Sequence, residues 1–250
     1  MPKNIRGTIL YTSNQEHRRG QARGIEHFSI TVHDDGSRAL RSHCVIQDAP
    51  SVERDVLLSV TDKFHPLSAS VKIRIGDTQE GLSTFIFSDS QIRAFGQTID
   101  GNHYEETFEL ESPATFFVTH PIQADAWLVS GLNVDTSKPC VNLMKDFPTS
   151  STDHRGATGP TIQIHENEIP IYYLGLEQID VKAGSFEAMH FCYGHPDEDP
   201  EGSNEAGLHP RYHVWTSADG NGVLLKASVD GYMQTRYELV ELVEGPLGDV

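Results

Sequence analysis

A chain of 250 residues with a net charge of -17 and 3 cysteines buries ample core without disulfide or metal staples. Its acidity argues against a nucleic-acid phosphate backbone or an anionic membrane as partner, and no apolar run approaches the roughly 20 residues of a spanning helix. Cys44, Cys140 and Cys192 form no CxxC pair, which speaks against structural zinc and for reduced thiols in the cytoplasm.

Alternation of period two dominates the chain from residue 26 onward. Phe28, Ile30 and Val32 share one face, and Asp34-Asp35-Gly36 then turns the chain, since glycine readily takes the positive φ of hairpin turns. The return runs from Ala39 to Ile46. Val56, Leu58 and Val60 alternate next, followed by Val71, Ile73 and Ile75. Residues 81–87 and 91–97 pair across Ser88-Asp89-Ser90, Asp100-Gly101 leads into 104–110, and 115–119 reads as one more strand.

The pattern breaks at 121–131, where Pro121 and Gly131 punctuate a short helix. Residues 133–160 read mostly as loop, with one strand over 141–144, and serve as a lid or as a plain linker. Alternation resumes over 161–165, 171–181, 186–193, 211–217, 223–229 and 232–242. The acidic insert 196–205 reads as a solvated loop.

These elements predict an all-β fold, an antiparallel meander forming a lipocalin-like barrel or flattened sandwich with one short helix. A single domain spans 1–250. A faint echo of Phe85–Asp89, Ile99–Gly101 and Phe108–Leu110 in residues 213–217, 229–231 and 237–239 suggests two similar half-meanders, 1–120 and 161–245, joined by the helix and loop.

The stretch Leu174-Gly175-Leu176-Glu177, Val181 to Ala188, the tryptophan strand around Trp215 and Tyr237-Glu238-Leu239-Val240 resembles the C-terminal half of uncharacterised bacterial β-barrel proteins. The resemblance covers about the last 80 residues. It implies a distantly lipocalin-like architecture and assigns no catalytic residue. Those relatives are often exported, whereas the first 20 residues here carry no apolar signal-peptide core.

No GxGxxG, P-loop, GxSxG or HExxH is present, so nicotinamide, nucleotide and serine-hydrolase chemistry of the common folds lacks support. The 13 histidines are the compositional oddity. Three sites compete. In the first, His120 ends a strand beside the helix, with Asp125 as orienter and Trp127 as an apolar wall. In the second, His190 and His213 become neighbours if their strands pair, with Trp215 beside them. The apolar face of the first of these strands is the one without His190, which favours a solvent-facing histidine. In the third, Arg18 and Arg19 clamp a substrate anion or decorate a charged hairpin.

His209-Pro210-Arg211-Tyr212-His213 has i,i+4 spacing, yet its proline excludes the helix that such metal ligands need. His27 and His43, like His103, Glu105 and Glu109, fall on polar strand faces. Cys44 and Cys140 have no adjacent base.

The leading expectation is a cofactor-independent and metal-free lyase, hydratase or isomerase acting on a small apolar or aromatic molecule. His120, His213 and His190 are its acid–base groups, Asp125 its orienter, and Trp127, Trp215, Arg18 and Arg19 its binding groups. The alternative is a non-catalytic carrier of a hydrophobic small molecule. A third reading is assembly, as a homo-oligomer, through an exposed β edge. The first two part on the interior: a carrier lumen is apolar, and an enzyme gathers titratable groups inside.

Overall fold

The computed structural model describes residues 2–166, 168–195, 211–230 and 235–246. The acidic insert at 196–205, His209-Pro210 and the start of the last predicted strand lie outside the described residues.

The N-terminal arm is a meander of eight strands: β1 (Lys3–Ser13), β2 (Ala22–Val32), β3 (Arg38–Ile46), β4 (Val52–Val60), β5 (Pro66–Ile75), β6 (Gln79–Phe87), β7 (Gln91–Gln97) and β8 (His103–Glu109). Helix α1 (Ile122–Ser130), an edge strand β9 (Cys140–Met144) and a small ribbon of β10 (Phe147–Thr149) with β11 (Gln163–His165) follow. The C-terminal arm is β12 (Ile169–Val181), β13 (Gly184–Tyr193), β14 (Tyr212–Ser217), β15 (Leu224–Val229) and β16 (Thr235–Pro246).

Both arms belong to one 14-stranded antiparallel sheet, because β1 pairs with β16 from Lys3 opposite Pro246 to Ser13 opposite Thr235. The sheet is not closed. Its edges are β8 and β9, while the inner faces of β1, β4, β13, β14 and β16 all contribute to the wall of one cavity. The fold is thus a curled, barrel-like meander whose apolar side chains alternate inward, as in β4, where Val52, Val56, Leu58 and Val60 are buried and Glu53, Asp55 and Leu57 are exposed.

Strand β10 lies within the stretch read as loop, and two further elements differ from the sequence reading. Strand β1 precedes the first alternation read, since Lys3, Arg6 and Gly7 dilute the pattern of Ile5, Ile9 and Tyr11. Gly7 is required there, for a Cβ would collide with the Phe28 ring on β2. Residues 115–119 form no full strand, only a parallel bridge from Val118 to Thr149. Phe117 instead anchors this segment against Phe85 and Phe87, at ring-centroid distances of 4.8 and 5.0 Å.

Helix α1 lies inside the curl because its surface is apolar almost all round: of its residues, only Asp125 and Ser130 are not fully buried. It has no N-terminal side-chain cap of its own. The cap comes from β2. Glu26, wholly buried, accepts from the backbone N–H of Ile122 at 2.8 Å and of Gln123 at 3.3 Å, from Tyr11 Oη at 2.7 Å and from Ser42 Oγ at 2.8 Å. A carboxylate there also meets the positive end of the helix dipole. Gln123 ties the helix to the other arm, donating to the Gly222 carbonyl at 2.7 Å and accepting from Leu224 N at 2.9 Å.

Replacing Glu26 by alanine orphans four buried donors, and unpaired buried groups cost about 1–3 kcal/mol each before relaxation. We expect Glu26→Ala to lose about 3–5 kcal/mol in urea unfolding, with Glu26→Gln losing less. Equal stability of Glu26→Ala and wild type would refute the bridging role.

Candidate functional site

Helix α1 lines a cavity of about 440 Å³ through Ile122, Asp125 and Leu128, and Asp125 is its one ionisable residue there. Tyr11, Tyr193, Tyr212 and Tyr237 from β1, β13, β14 and β16 line one part of it, with Arg54 from β4 and His120 nearby. The tyrosine rings pack in pairs, Tyr193 stacked on Tyr212 at 5.2 Å and Tyr11 edge-on to Tyr237 at 4.8 Å. Leu128, Met144, Phe147, Ile169 and Val229 form the apolar wall. Residues 151–155, within the stretch read as lid or linker, close one side of the cavity. Asp153 holds this loop in a turn by accepting from Arg155 N at 2.9 Å and Ala157 N at 3.0 Å.

Asp125 Oδ2 accepts a hydrogen bond from Tyr212 Oη at 2.9 Å. Burial pushes its carboxyl up from 3.8 to about 7, opposed by the Tyr212 hydrogen bond, reinforced by the charge of Glu26 and opposed again by Arg54. Burial likewise raises the Tyr212 phenol well above its ordinary range. A carboxyl beside a neutral phenol thus titrates near neutrality.

His120 behaves in the opposite way. Burial, with the Arg54 charge second, pushes it down to about 3, so the ring is neutral at physiological pH. Its Nε2 lies 2.9 Å from the Ser151 carbonyl, which accepts and so assigns the proton to Nε2. The backbone of His120 is left-handed, with φ +71°. Gly156 (φ +62°) packs against it so closely that a Cβ would collide with the Arg54 guanidinium and the His120 ring.

Of the sequence-predicted residues, the structure brings His120 and Asp125 to one cavity without a hydrogen bond between them. Trp127 is buried in the core beside Phe64, with ring centroids 5.9 Å apart. His190 and His213 do meet, Nε2 to Nδ1 at 2.9 Å, but on the face of β13 and β14 opposite to Tyr193 and Tyr212. Glu177 accepts from His190 Nδ1 at 3.0 Å and from Trp215 Nε1, and Trp215 stacks on His190 at 4.1 Å. Burial, then the neighbouring His213, lowers His190 to about 4.

The outer-face histidines therefore cannot share a substrate with Asp125. Arg18 is engaged with Asp48 at 3.1 Å and Gln15 at 2.7 Å, while Arg19 is exposed at the end of a short turn. Neither reaches the cavity. Among the described residues, one group with metal-ligand proximity occurs, His43 with Glu53 and Asp55, and it too lies on the outer face.

Glu26, Arg54 and the four tyrosines were not singled out by the sequence reading. A signal for two of them exists. Arg54 falls in phase with Val52, Val56 and Leu58, and Glu26 in phase with Phe28 and Ile30, so each is a charge on an inward-facing position. Register places them in one row across the sheet, Glu26 opposite Cys44 and Cys44 opposite Arg54. Burial pushes the Cys44 thiol up to about 12, which excludes a thiolate nucleophile there.

The chain is similar in fold, over 98% of its own length and 98% of the other, to a β-barrel-like protein of the domain of unknown function DUF1849 from Brucella abortus, at a TM-score of 0.52 and 11% identity. A DUF1089 family protein from Pseudomonas aeruginosa matches at a TM-score of 0.42 and 9% identity, over 80% of this chain and 87% of that one. No family model matches the chain, and no curated protein matches its sequence. The resemblance to uncharacterised β-barrel proteins thus holds for the fold. No helix among the described residues is long and apolar enough to cross a membrane.

The raised pKa of Asp125 has a consequence for stability. Below about 3.8 the folded and unfolded states are both protonated and the group contributes no penalty. As pH rises toward 7 the unfolded chain releases the proton while the folded one retains it, so stability is lost through that window. Asp125→Asn removes the penalty. The variant is expected to gain on wild type by about 2–4 kcal/mol between pH 4 and pH 8 in urea unfolding. A stability difference independent of pH would place the Asp125 pKa at its ordinary value.

Proposed function

We propose that the chain is a cofactor-independent acid–base enzyme, of lyase, hydratase or isomerase type, acting on a small molecule with an apolar or aromatic body in the interior cavity. The observation that carries this reading is the Asp125–Tyr212 hydrogen bond in the cavity wall. A carboxyl that titrates near neutrality exchanges a proton with little free-energy cost in either direction. Tyr212 orients it by donating its one hydroxyl proton to Asp125 Oδ2. His120 acts as a neutral hydrogen-bonding group, because a ring held at about 3 does not serve as a charged acid at pH 7. The roles first given to His190 and His213 pass to this pair.

A second reading, a carrier for a hydrophobic ligand, draws support from the wall formed by Leu128, Met144, Phe147, Ile169 and Val229. The placement of Asp125, Arg54 and four tyrosines in the same cavity favours the enzyme, since polar groups in a carrier lumen cost desolvation for no gain. No disulfide joins Cys44, Cys140 and Cys192, which supports a reducing, cytoplasmic setting.

The test is deuterium incorporation, followed by NMR in D2O, into a panel of small carbonyl, hydroxy and enolisable compounds. We expect exchange into at least one compound, with a pH–rate inflection near 7, a loss of about 10²–10⁴-fold in Asp125→Asn and a smaller loss in Tyr212→Phe. Binding without exchange in the wild type would select the carrier.

A further inference from the structure

Arg54 is 2% exposed and lines the cavity. Its guanidinium donates through Nη1 to Cys44 Sγ at 3.7 Å and through Nη2 to the Arg155 carbonyl. Its Nε–H is buried without an acceptor, and no carboxylate lies within ion-pair distance among the described residues. Cys44 is a neutral thiol, and Glu26 spends its oxygens on Tyr11, Ser42 and the helix N-terminus. Asp125 is within electrostatic reach of Arg54 but is bonded to Tyr212.

A guanidinium cannot shed its proton to escape burial, and a charge out of water without a counter-ion costs several kcal/mol. Other partly buried arginines find carboxylates, as Arg18 and Arg23 do with Asp48 and Arg211 with Asp230, while Arg38, whose Nε–H also lacks an acceptor, bonds to the Gly36, Asp62 and Gly220 carbonyls away from the cavity. Arg54 alone combines deep burial, an unsatisfied donor and a place in the cavity wall.

We propose that Arg54 is the anchor for an anionic head group, and that the ligand of this cavity is a small carboxylic acid with an apolar or aromatic body. A planar carboxylate matches the fork of the guanidinium, and the apolar wall receives the remainder. The proposal rests on the interior cavity being the binding site and names the class of molecule it takes. It also moves the anion-binding role from Arg18, which pairs with Asp48, and the exposed Arg19 to a residue inside the fold.

The experiment is calorimetric titration of the full chain with phenylacetate, benzoate and octanoate, each set against its neutral primary amide and against inorganic phosphate. We expect at least one carboxylate to bind at least tenfold more tightly than its amide. That preference should vanish in Arg54→Met and survive in part in Arg54→Lys. Should Arg54→Met fail to fold by circular dichroism, the comparison on wild type decides the anionic head group, and a preference undiminished in Arg54→Lys would overturn the role of the guanidinium.

Amides binding as well as carboxylates would overturn the anionic head group and leave the cavity reading intact. Binding of inorganic phosphate alone would overturn the carboxylic acid and its apolar body. A tenfold preference that persists in Arg54→Met would overturn the role of Arg54. Silence from every probe would overturn this ligand class, while the proton-exchange measurement on Asp125 stands as a separate test of acid–base function.

Discussion

The hydrogen bonds that Glu26 makes from strand β2 to the N-terminus of the helix hold the interior in its present form. A helix apolar on almost every side has no preferred face to lay against a sheet, so burial alone does not fix its rotation. The carboxylate of Glu26 does, because it meets two specific backbone N–H groups. Gln123 completes the constraint from the opposite arm through Gly222 and Leu224. With both ends of this bracket set, one turn further on, Asp125 is aimed at Tyr212 rather than at the core. The position of the titrating group is thus a consequence of a capping interaction supplied by a distant part of the chain.

Most of the fold was legible because a sheet with one buried face writes its register as alternation. The predicted helix at 121–131 is observed at Ile122–Ser130, and the predicted strand at 141–144 is observed at Cys140–Met144. What alternation does not record is which polar residue interrupts it for a reason. Arg54 stands between Val52 and Val56 in the inward phase, yet reads as one more charge in Glu53-Arg54-Asp55. Strand β1 was missed for a related cause. Its pairing with β16 joins the two ends of the chain, and no local pattern encodes a contact at that separation.

The histidine excess misled in a physically instructive way. His27 faces His43 across β2 and β3, His43 Nδ1 lies 2.7 Å from Asp55, and Thr8 links His27 to Glu241. Together with His190 and His213, these rings lie on the outer face of the sheet, opposite to the cavity. An imidazole there fills a cross-strand position with a planar group that bonds to either neighbour. Counting histidines therefore reported in part on the decoration of a broad sheet, although His120, His154, His165 and His195 do line the cavity. Beside these rings the interior site sets the carboxyl, guanidinium and phenol groups of Asp125, Arg54 and Tyr212, which are common residues in this sequence and draw no notice by number.

The interior also balances its charge in a manner that ties ligand to proton. Glu26 is fixed by four donors and Arg54 is always cationic, the two standing on either side of Cys44 in one row with no ion pair between them. Asp125 is the adjustable member, titrating near neutrality because burial opposes its ionisation while Arg54 favours it. An anion seated on Arg54 screens that favourable charge and adds a negative one of its own. Both effects raise the proton affinity of Asp125, so the carboxyl is protonated when a carboxylate ligand is bound and readier to ionise when the cavity is empty. Under the proposed mechanism the anionic ligand thereby arms its own general acid. That coupling needs no moving part, only three charged groups inside one curled sheet and a helix turned to face them.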